Sequence, residues 1–306
     1  MKESLVTVIY PCYNQPHILA ASLRSLVNQT RKDFAVLLVD DCSIMDYDDV
    51  IAAFPQLRIT RVVNEKNLGA VPNMLNCLRY PVSTPYKMVF HEDDLLHPQW
   101  LELAIPALQK CPGAAWVASN MSFFKDNMSV HFNAVESLDY HIKNDINELV
   151  AAIVEGQTFS FASVLYDSNI AAGASMPFDT YSMLSDRYML LEMGKKCGFI
   201  YFKFDFVAAF DHSGRDTRWR TMTKSHIENY LLYLKSYFTA KQLRQKNIHA
   251  GFTRTSLSLL AILPAVSLYQ KICFYFRFYA KGLFSLKYFL LSFGSVRHFS
   301  DFFKKQ

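Results

Sequence analysis

Glu92, Asp93 and Asp94 stand side by side in a chain of 306 residues. Three adjacent carboxylates repel one another unless something positive sits among them. Hard oxygen donors on a short turn suit Mn2+ or Mg2+, ions that also keep waters and substrate phosphates in their shells. The competing use of such a triplet is to cap the helix expected after Pro98. A second acidic pair, Asp40-Asp41, favours the metal. Other polar residues cluster in the same way: Pro11-Cys12-Tyr13-Asn14, then Asn67 and Gly69, then Asp186, then the run from Asp211 to Arg218. Asp186 precedes Tyr188, Leu190, Leu191 and Met193, and on its own reads as a helix N-cap. The chain has neither GxGxxG nor GxxxxGK[ST], so nicotinamide cofactors and P-loop phosphates are not expected. A nucleotide would have to be held through a metal and side chains.

The elements that carry these residues alternate strand and helix over the first 120 positions. Leu5 to Tyr10 is apolar and β-branched, as a buried parallel strand should be. Pro16 opens a helix, where its missing N–H costs little, and Ile18, Leu19, Ser22, Leu23, Leu26 and Val27 give that helix one inward face. Further strands are expected over Phe34–Val39, Leu57–Val63, Tyr86–Phe90 and Ala114–Ser119, with helices over Val71–Arg79 and after Pro98. Helices Ile146–Glu155 and Ser185–Cys197 and strands Phe161–Tyr166 and Phe199–Phe206 follow. This spacing predicts a parallel sheet flanked by helices. In open sheets of that kind ligands sit beyond the carboxyl ends of the strands, and four separate polar loops fall there.

Composition supports a folded enzyme-sized chain. Hydrophobic residues make up 51% and charged residues 19%, which excludes a disordered chain. From Gly251 onward there are eight basic residues and one acidic, leaving 24 basic and 26 acidic before it. The positive charge belongs to the tail, so the body is not expected to bind nucleic acid. Six cysteines show no CxxC pair and read as reduced thiols in a cytoplasmic protein. No uncharged run reaches the roughly 20 residues of a spanning helix. Thirteen aromatics lie between Tyr269 and Lys304, punctuated by Lys271, Arg277, Lys281, Lys287 and Arg297. A basic, aromatic helical segment suits the membrane interface, or else packs as a helical subdomain.

Taken together, Val6 to Asn14, Ser22 to Thr30, Val39-Asp40-Asp41-Cys42-Ser43, Asn67-Leu68-Gly69-Ala70 with Asn73, Glu92-Asp93-Asp94 and Ser185-Asp186-Arg187 resemble glycosyltransferase family two. The resemblance covers roughly residues 4 to 220 and is tightest over the first 105. It implies a GT-A fold, a Rossmann-like, mainly parallel α/β sheet flanked by helices, here with a C-terminal helical appendage. It divides the chain into a nucleotide-sugar-binding half (1–120), an acceptor and catalytic half (121–225) and a helical aromatic, basic region (226–306). Pro11, Tyr13 and Asp41 would hold the nucleoside, with Asp41 at the base edge, and Asn14, Asp40, Asn67, Gly69 and Asn73 would complete that side. Asp93 would lie near the ribose and donor sugar, Asp94 would ligate the metal, and Asp186 would be the general base. His212 would reach the metal or diphosphate. Arg218, with Arg215 next, would cover the phosphates. His91 reads as a structural histidine. The family often has Asp where this chain has Glu92, and Glu where it has Ser185.

The function so implied is inverting transfer from a nucleotide sugar, UDP-linked by default, to a glycan or lipid-linked acceptor. The process would be synthesis of a surface polysaccharide such as an O-antigen or capsule, at the inner face of the cell membrane. A catalytically inactive relative serving as a scaffold subunit is the alternative. A nucleotidyltransferase is disfavoured because the Tyr13-Asn14-Gln15-Pro16 loop lacks the glycine- and lysine/arginine-rich character that triphosphate binding needs.

Overall fold

A computed structural model describes residues 3–124, 130, 132–135, 140–143, 145–154, 159–210, 222–243, 245–261, 276 and 280. Two compact units emerge. The first comprises Met1–Asn144, Phe159–Met176 and Glu192–Arg215; the second comprises Asp145–Thr158, Pro177–Leu191 and Asp216–Gln306.

The first unit is built on strands β1 (Val6–Cys12), β2 (Phe34–Asp40), β3 (Ile59–Val63), β4 (Tyr86–Val89), β5 (Asp94–Leu96), β6 (Trp116–Phe124), β7 (Tyr140–Lys143), β8 (Leu165–Asp167) and β9 (Phe199–Phe210). Their order is β3-β2-β1-β4-β8-β6-β9-β5, with β7 also on β9. Strand β1 is central, and Val6, Val8, Ile9 and Tyr10 are wholly buried, which is why its residues form a continuous apolar run rather than an alternating one. It pairs in parallel with β2 from Val6↔Phe34 to Cys12↔Asp40 without a bulge, and with β4 from Val6↔Tyr86 to Ile9↔Val89. Strand β3 continues the parallel set, ending Asp40↔Val63. This register brings the carboxyl ends of four strands to one rim.

Helices α1 (Pro16–Val27), α2 (Asp48–Ala52), α3 (Ala70–Arg79) and α4 (Trp100–Lys110) connect these strands. Helix α1 buries Leu19, Leu23 and Leu26. Trp100 of α4 meets the rings of Phe202 and Phe206 at 5.7 and 4.9 Å. At the far end of α3, buried Lys87 donates to the carbonyls of Leu78 (3.0 Å) and Tyr80 (2.7 Å), which have no partner inside the helix. The other half of the sheet is mixed. Strand β8 runs antiparallel to β4 and β6, β5 and β7 antiparallel to β9, and β6 parallel to β9.

The second unit is helical: α5 (Ile146–Val154), α7 (Phe178–Tyr181), the start of α8 (Ser185–Cys197), α9 (Lys224–Lys235), α10 (Ala240–Leu243) and α11 (Lys246–Ala261); the short α6 (Ser168–Ala171) belongs to the first unit. Helix α9 packs on α7, and α11 on α5 and α9. Gly251 lets α11 approach α5 closely. A Cβ there would sit 2.5 Å from the Val154 carbonyl oxygen, and Thr255 donates its hydroxyl to the same oxygen at 3.2 Å.

Against the sequence expectations, the elements expected over the first 110 residues agree to within two residues at each end and α8 agrees throughout, while the short α2 and β5 were not expected. Three differences have physical causes. The segment beginning at Phe161 opens as a 3-10 turn (Phe161–Ser163), because the Ser163 hydroxyl engages the carbonyls of Ser119 and Ser160, and only then becomes β8. Strand β9 extends to Phe210, since β5 and β6 both pair along its later half. The turn after β4 does not cap α4. Gln99 holds the N-cap position without a side-chain bond, while Asp94 starts β5. No helix among the described residues is long and apolar enough to cross a membrane. Most of the aromatic, basic tail lies outside the described residues.

Cys42, exposed just after β2, has φ 62°. That conformation costs a residue with a Cβ about 1–2 kcal/mol and glycine almost nothing. Cys42→Gly is expected to raise stability by about 0.5–1 kcal/mol, once the extra freedom of unfolded glycine is subtracted. Denaturant midpoints at unchanged slope would measure it; a lower midpoint would contradict it.

Candidate functional site

Four loops emerge at the rim of the parallel half of the sheet. Pro11 lies within β1, and Tyr13, just beyond its end, is 45% exposed. Asn14 adopts φ 54°, a left-handed conformation that asparagine tolerates better than most residues. Its Oδ1 accepts the backbone N–H of Ile44 (2.8 Å) and Met45 (3.2 Å), while its own N–H donates to the Ser43 hydroxyl at 2.9 Å. The β1 and β2 loops are therefore laced together.

Asp41 joins them to the third loop. Its side chain is buried. Oδ1 accepts from the Asn64 amide and the Leu68 N–H, both at 2.8 Å, and Oδ2 accepts the Gly69 N–H at 2.9 Å. Gly69, at φ 84°, is the N-cap of α3, and its N–H is shared with the Asn67 side chain at 2.8 Å. Asn73, buried on the first turns of α3, accepts from Asn64 at 2.9 Å and donates to the Val39 carbonyl at 3.2 Å. Asp41, Asn67, Gly69 and Asn73 thus belong to one network, centred on Asp41 and joined to Asn73 through Asn64, which nothing in its sequence surroundings distinguished. Asp40 is directed elsewhere. Its Oδ2 pairs with Arg61 at 2.7 Å and its Oδ1 accepts the Ser43 N–H at 2.9 Å.

The fourth loop is the acidic turn. His91, Asp93 and Asp94 offer donor atoms that all lie within 4.8 Å of one another. Two donors on one ion at about 2.0–2.6 Å can be no further apart than roughly 4–5 Å, so the set fits a divalent cation. Asp94 is fully buried at the start of β5, and its Oδ2 lies 3.3 Å from His91 Nδ1. The His91 ring stacks on Phe161 at 6.0 Å. His91, which the sequence suggested was structural, therefore stands inside the acidic cluster. Its nearness to Asp94 follows from the tight turn, in which the Asp94 N–H reaches the His91 carbonyl at 3.4 Å.

Glu92 differs from its neighbours. Burial pushes its carboxyl up to about 8, and the Asp93 charge adds to this. Hydrogen bonds from the Tyr13 backbone N–H, Tyr47 and Cys12 pull it back. The Tyr47 hydroxyl donates to it at 3.3 Å. The Cys12 thiol, buried and beside that carboxyl, has its pKa raised mainly by burial.

Asp186 belongs to the second unit, on the first turn of α8 and half-buried, where its Oδ1 accepts the Arg187 N–H at 2.6 Å. It lies inside the helix, so it is not the N-cap residue. Tyr230, fully buried nearby, has its hydroxyl pKa pushed up to about 12, by burial first, with Arg187 opposing and the Asp186 charge adding to the rise. His212, Arg215 and Arg218 lie outside the described residues.

Comparison with known proteins agrees with this architecture. Residues 7–168 match the model for glycosyl transferase family 2. The Escherichia coli UDP-Glc:alpha-D-GlcNAc-diphosphoundecaprenol beta-1,3-glucosyltransferase WfgD is 27% identical over 170 residues, 56% of this chain and 58% of that protein. An uncharacterized Methanocaldococcus jannaschii glycosyltransferase is 31% identical over 106 residues, 33% of this chain and 36% of its own. The chain thus spans less than two thirds of these curated relatives. Among solved structures, Staphylococcus aureus TarS 1–349 with UDP superposes with a TM-score of 0.58 at 14% identity, over 87% of this chain and 76% of that one. The Pyrobaculum calidifontis mannosyltransferase PcManGT, in complex with GDP-Man and Mn2+, gives 0.51 at 15% identity, over 95% and 84%. At such identities the structural likeness speaks for the fold.

Asp41 carries a prediction that needs no assay of activity. Asp41→Asn keeps the shape but replaces one acceptor oxygen with a donor, so either Leu68 and Asn64 or Gly69 loses its buried partner. The expected cost is about 1–3 kcal/mol of stability, read from urea unfolding midpoints. An unchanged midpoint would show that the carboxylate does not hold the loop.

Proposed function

The chain belongs to glycosyl transferase family 2, and on that premise we propose that it transfers a sugar, with inversion, from a nucleotide-sugar donor to a hydroxyl of a glycan or lipid-linked oligosaccharide. The observation that carries this is the meeting at one rim of the Asp41 network and a histidine–carboxylate set with cation spacing. UDP is the working choice of nucleotide. The relative WfgD is named for a UDP-Glc donor and a diphosphoundecaprenol-linked acceptor, and TarS is solved with UDP-GlcNAc and with UDP. A surface polysaccharide is the product class that fits such an acceptor, with the protein working at the inner membrane face.

Each residue has a chemical task. The exposed Tyr13 ring offers a face against which a base can stack. Asp41 retains acceptor capacity beyond its three bonds, enough to read a donor on the base edge, with Pro11 and Asn14 shaping the same wall. Asp93 addresses the ribose and donor sugar. Asp94, with His91 and Asp93, would hold Mn2+ or Mg2+, and His212 would add a further contact. When bound there, the ion neutralises charge on the departing diphosphate without a proton. Arg218, and Arg215 next to it, would cover the phosphates. Asp186 takes the proton from the acceptor oxygen as that oxygen bonds to the anomeric carbon and the carbon–diphosphate bond breaks. A base opposite the leaving group makes the displacement single and inverting, the geometry that inverting hydrolases use with water.

Purified protein with Mn2+, a panel of UDP- and GDP-sugars and a polyprenyl-diphosphate-linked acceptor should release nucleotide from at least one donor. EDTA should abolish the release and added Mn2+ restore it. Silence across the panel would favour a non-catalytic scaffold subunit. Asp186→Asn should lower kcat about 10²–10⁴-fold with donor KM little changed; an undiminished rate would remove it as the base.

A further inference from the structure

Glu92 is the member of the acidic triplet that stands outside the His91, Asp93 and Asp94 set. Its contacts lead the other way. Oε2 accepts from the Tyr47 hydroxyl at 3.3 Å. Tyr47 is wholly buried and its hydroxyl has two tasks, since it also accepts the Gln15 N–H at 3.1 Å. Behind the ring, the Arg61 guanidinium sits 5.4 Å from the centroid. Arg61 is itself held by Asp40 at 2.7 Å, Asp46 at 2.9 Å and Asp48 at 3.2 Å. One line of contacts therefore runs from β3 and the end of β2 through a rigid ring to the acidic turn, touching the β1 loop at Gln15, two residues beyond Tyr13.

We infer that Tyr47 and Glu92 form a strut that sets the spacing between the Tyr13 loop and the His91–Asp94 turn, making Tyr47 a positioning residue for the donor and Glu92 no ligand of the metal. This rests on the donor site proposed above. The base-stacking ring and the cation donors hold opposite ends of one nucleoside diphosphate, so their separation must match that ligand. Glutamate is needed for its length. An aspartate at position 92 would fall short by one methylene, about 1.5 Å, and release the tyrosine.

The test separates two affinities in the full-length protein. UDP and GDP binding are titrated calorimetrically at saturating Mn2+, and Mn2+ binding alone is followed by electron paramagnetic resonance. Tyr47→Phe keeps the ring and removes one oxygen. It should weaken nucleotide binding about fivefold to tenfold, the worth of one lost hydrogen bond, with Mn2+ affinity unchanged within about twofold. Donor KM should rise more than kcat falls. Glu92→Asp should do the same, and the double variant should be no weaker than the worse single one. Four results would overturn the strut: additive losses in the double variant; a fall in melting temperature with nucleotide binding intact; a Glu92→Gln variant that loses Mn2+ affinity tenfold, marking a ligand; or variants indistinguishable from a wild type that binds. A wild type that takes Mn2+ but neither nucleotide would overturn the donor site itself, and the strut with it.

Discussion

Asp41 accepts two backbone N–H groups and one side-chain amide while almost fully buried, and the rest of the rim depends on that bond set. A buried carboxylate is costly without partners. Satisfied by Leu68, Gly69 and Asn64, it ties the end of β2 to the loop between β3 and α3, up to 28 positions further on, in one rigid wall. Gly69 permits this because its φ of 84° turns the N–H toward the acid while opening α3. The in-register pairing of β1 and β2 places Asp41 beside Cys12, whose carbonyl accepts the Asp41 N–H at 2.8 Å.

Two charged systems lie behind that wall and have different solvent exposure. Asp40 is buried, yet Arg61, its partner, is partly open to water and also spans two exposed aspartates. A pair of this kind holds geometry more than it adds stability. Glu92, by contrast, sits where burial favours its neutral form. Of the three adjacent acids, one is therefore drawn into the packing between loops while its two neighbours keep donor atoms within 4.8 Å of one another and of His91.

Much of the parallel half was legible in the sequence because a strand buried on both faces announces itself as an unbroken apolar run, and Val6 to Tyr10 is such a run. Residue type also located the acidic turn, Asp41 and Gly69. What stayed hidden was partnership. Nothing local says that Asn64 faces Asp41 or that Tyr47 reaches Glu92, 45 positions away. The antiparallel additions escaped for the same reason: β5 is three residues long and exists because β9 pairs with it. His91 was read as structural because a lone histidine usually is, and its entry into the cluster is a property of the turn.

Cys42 has a practical consequence. Among the described cysteines, Cys12 and Cys77 are buried, Cys111 and Cys197 are half-covered, and Cys42 is exposed. It sits one residue beyond Asp41, on the mouth that the loops share. A maleimide fluorophore attached there would report on the loops around Asp41, and among the described thiols it is the one most open to oxidative cross-linking between molecules.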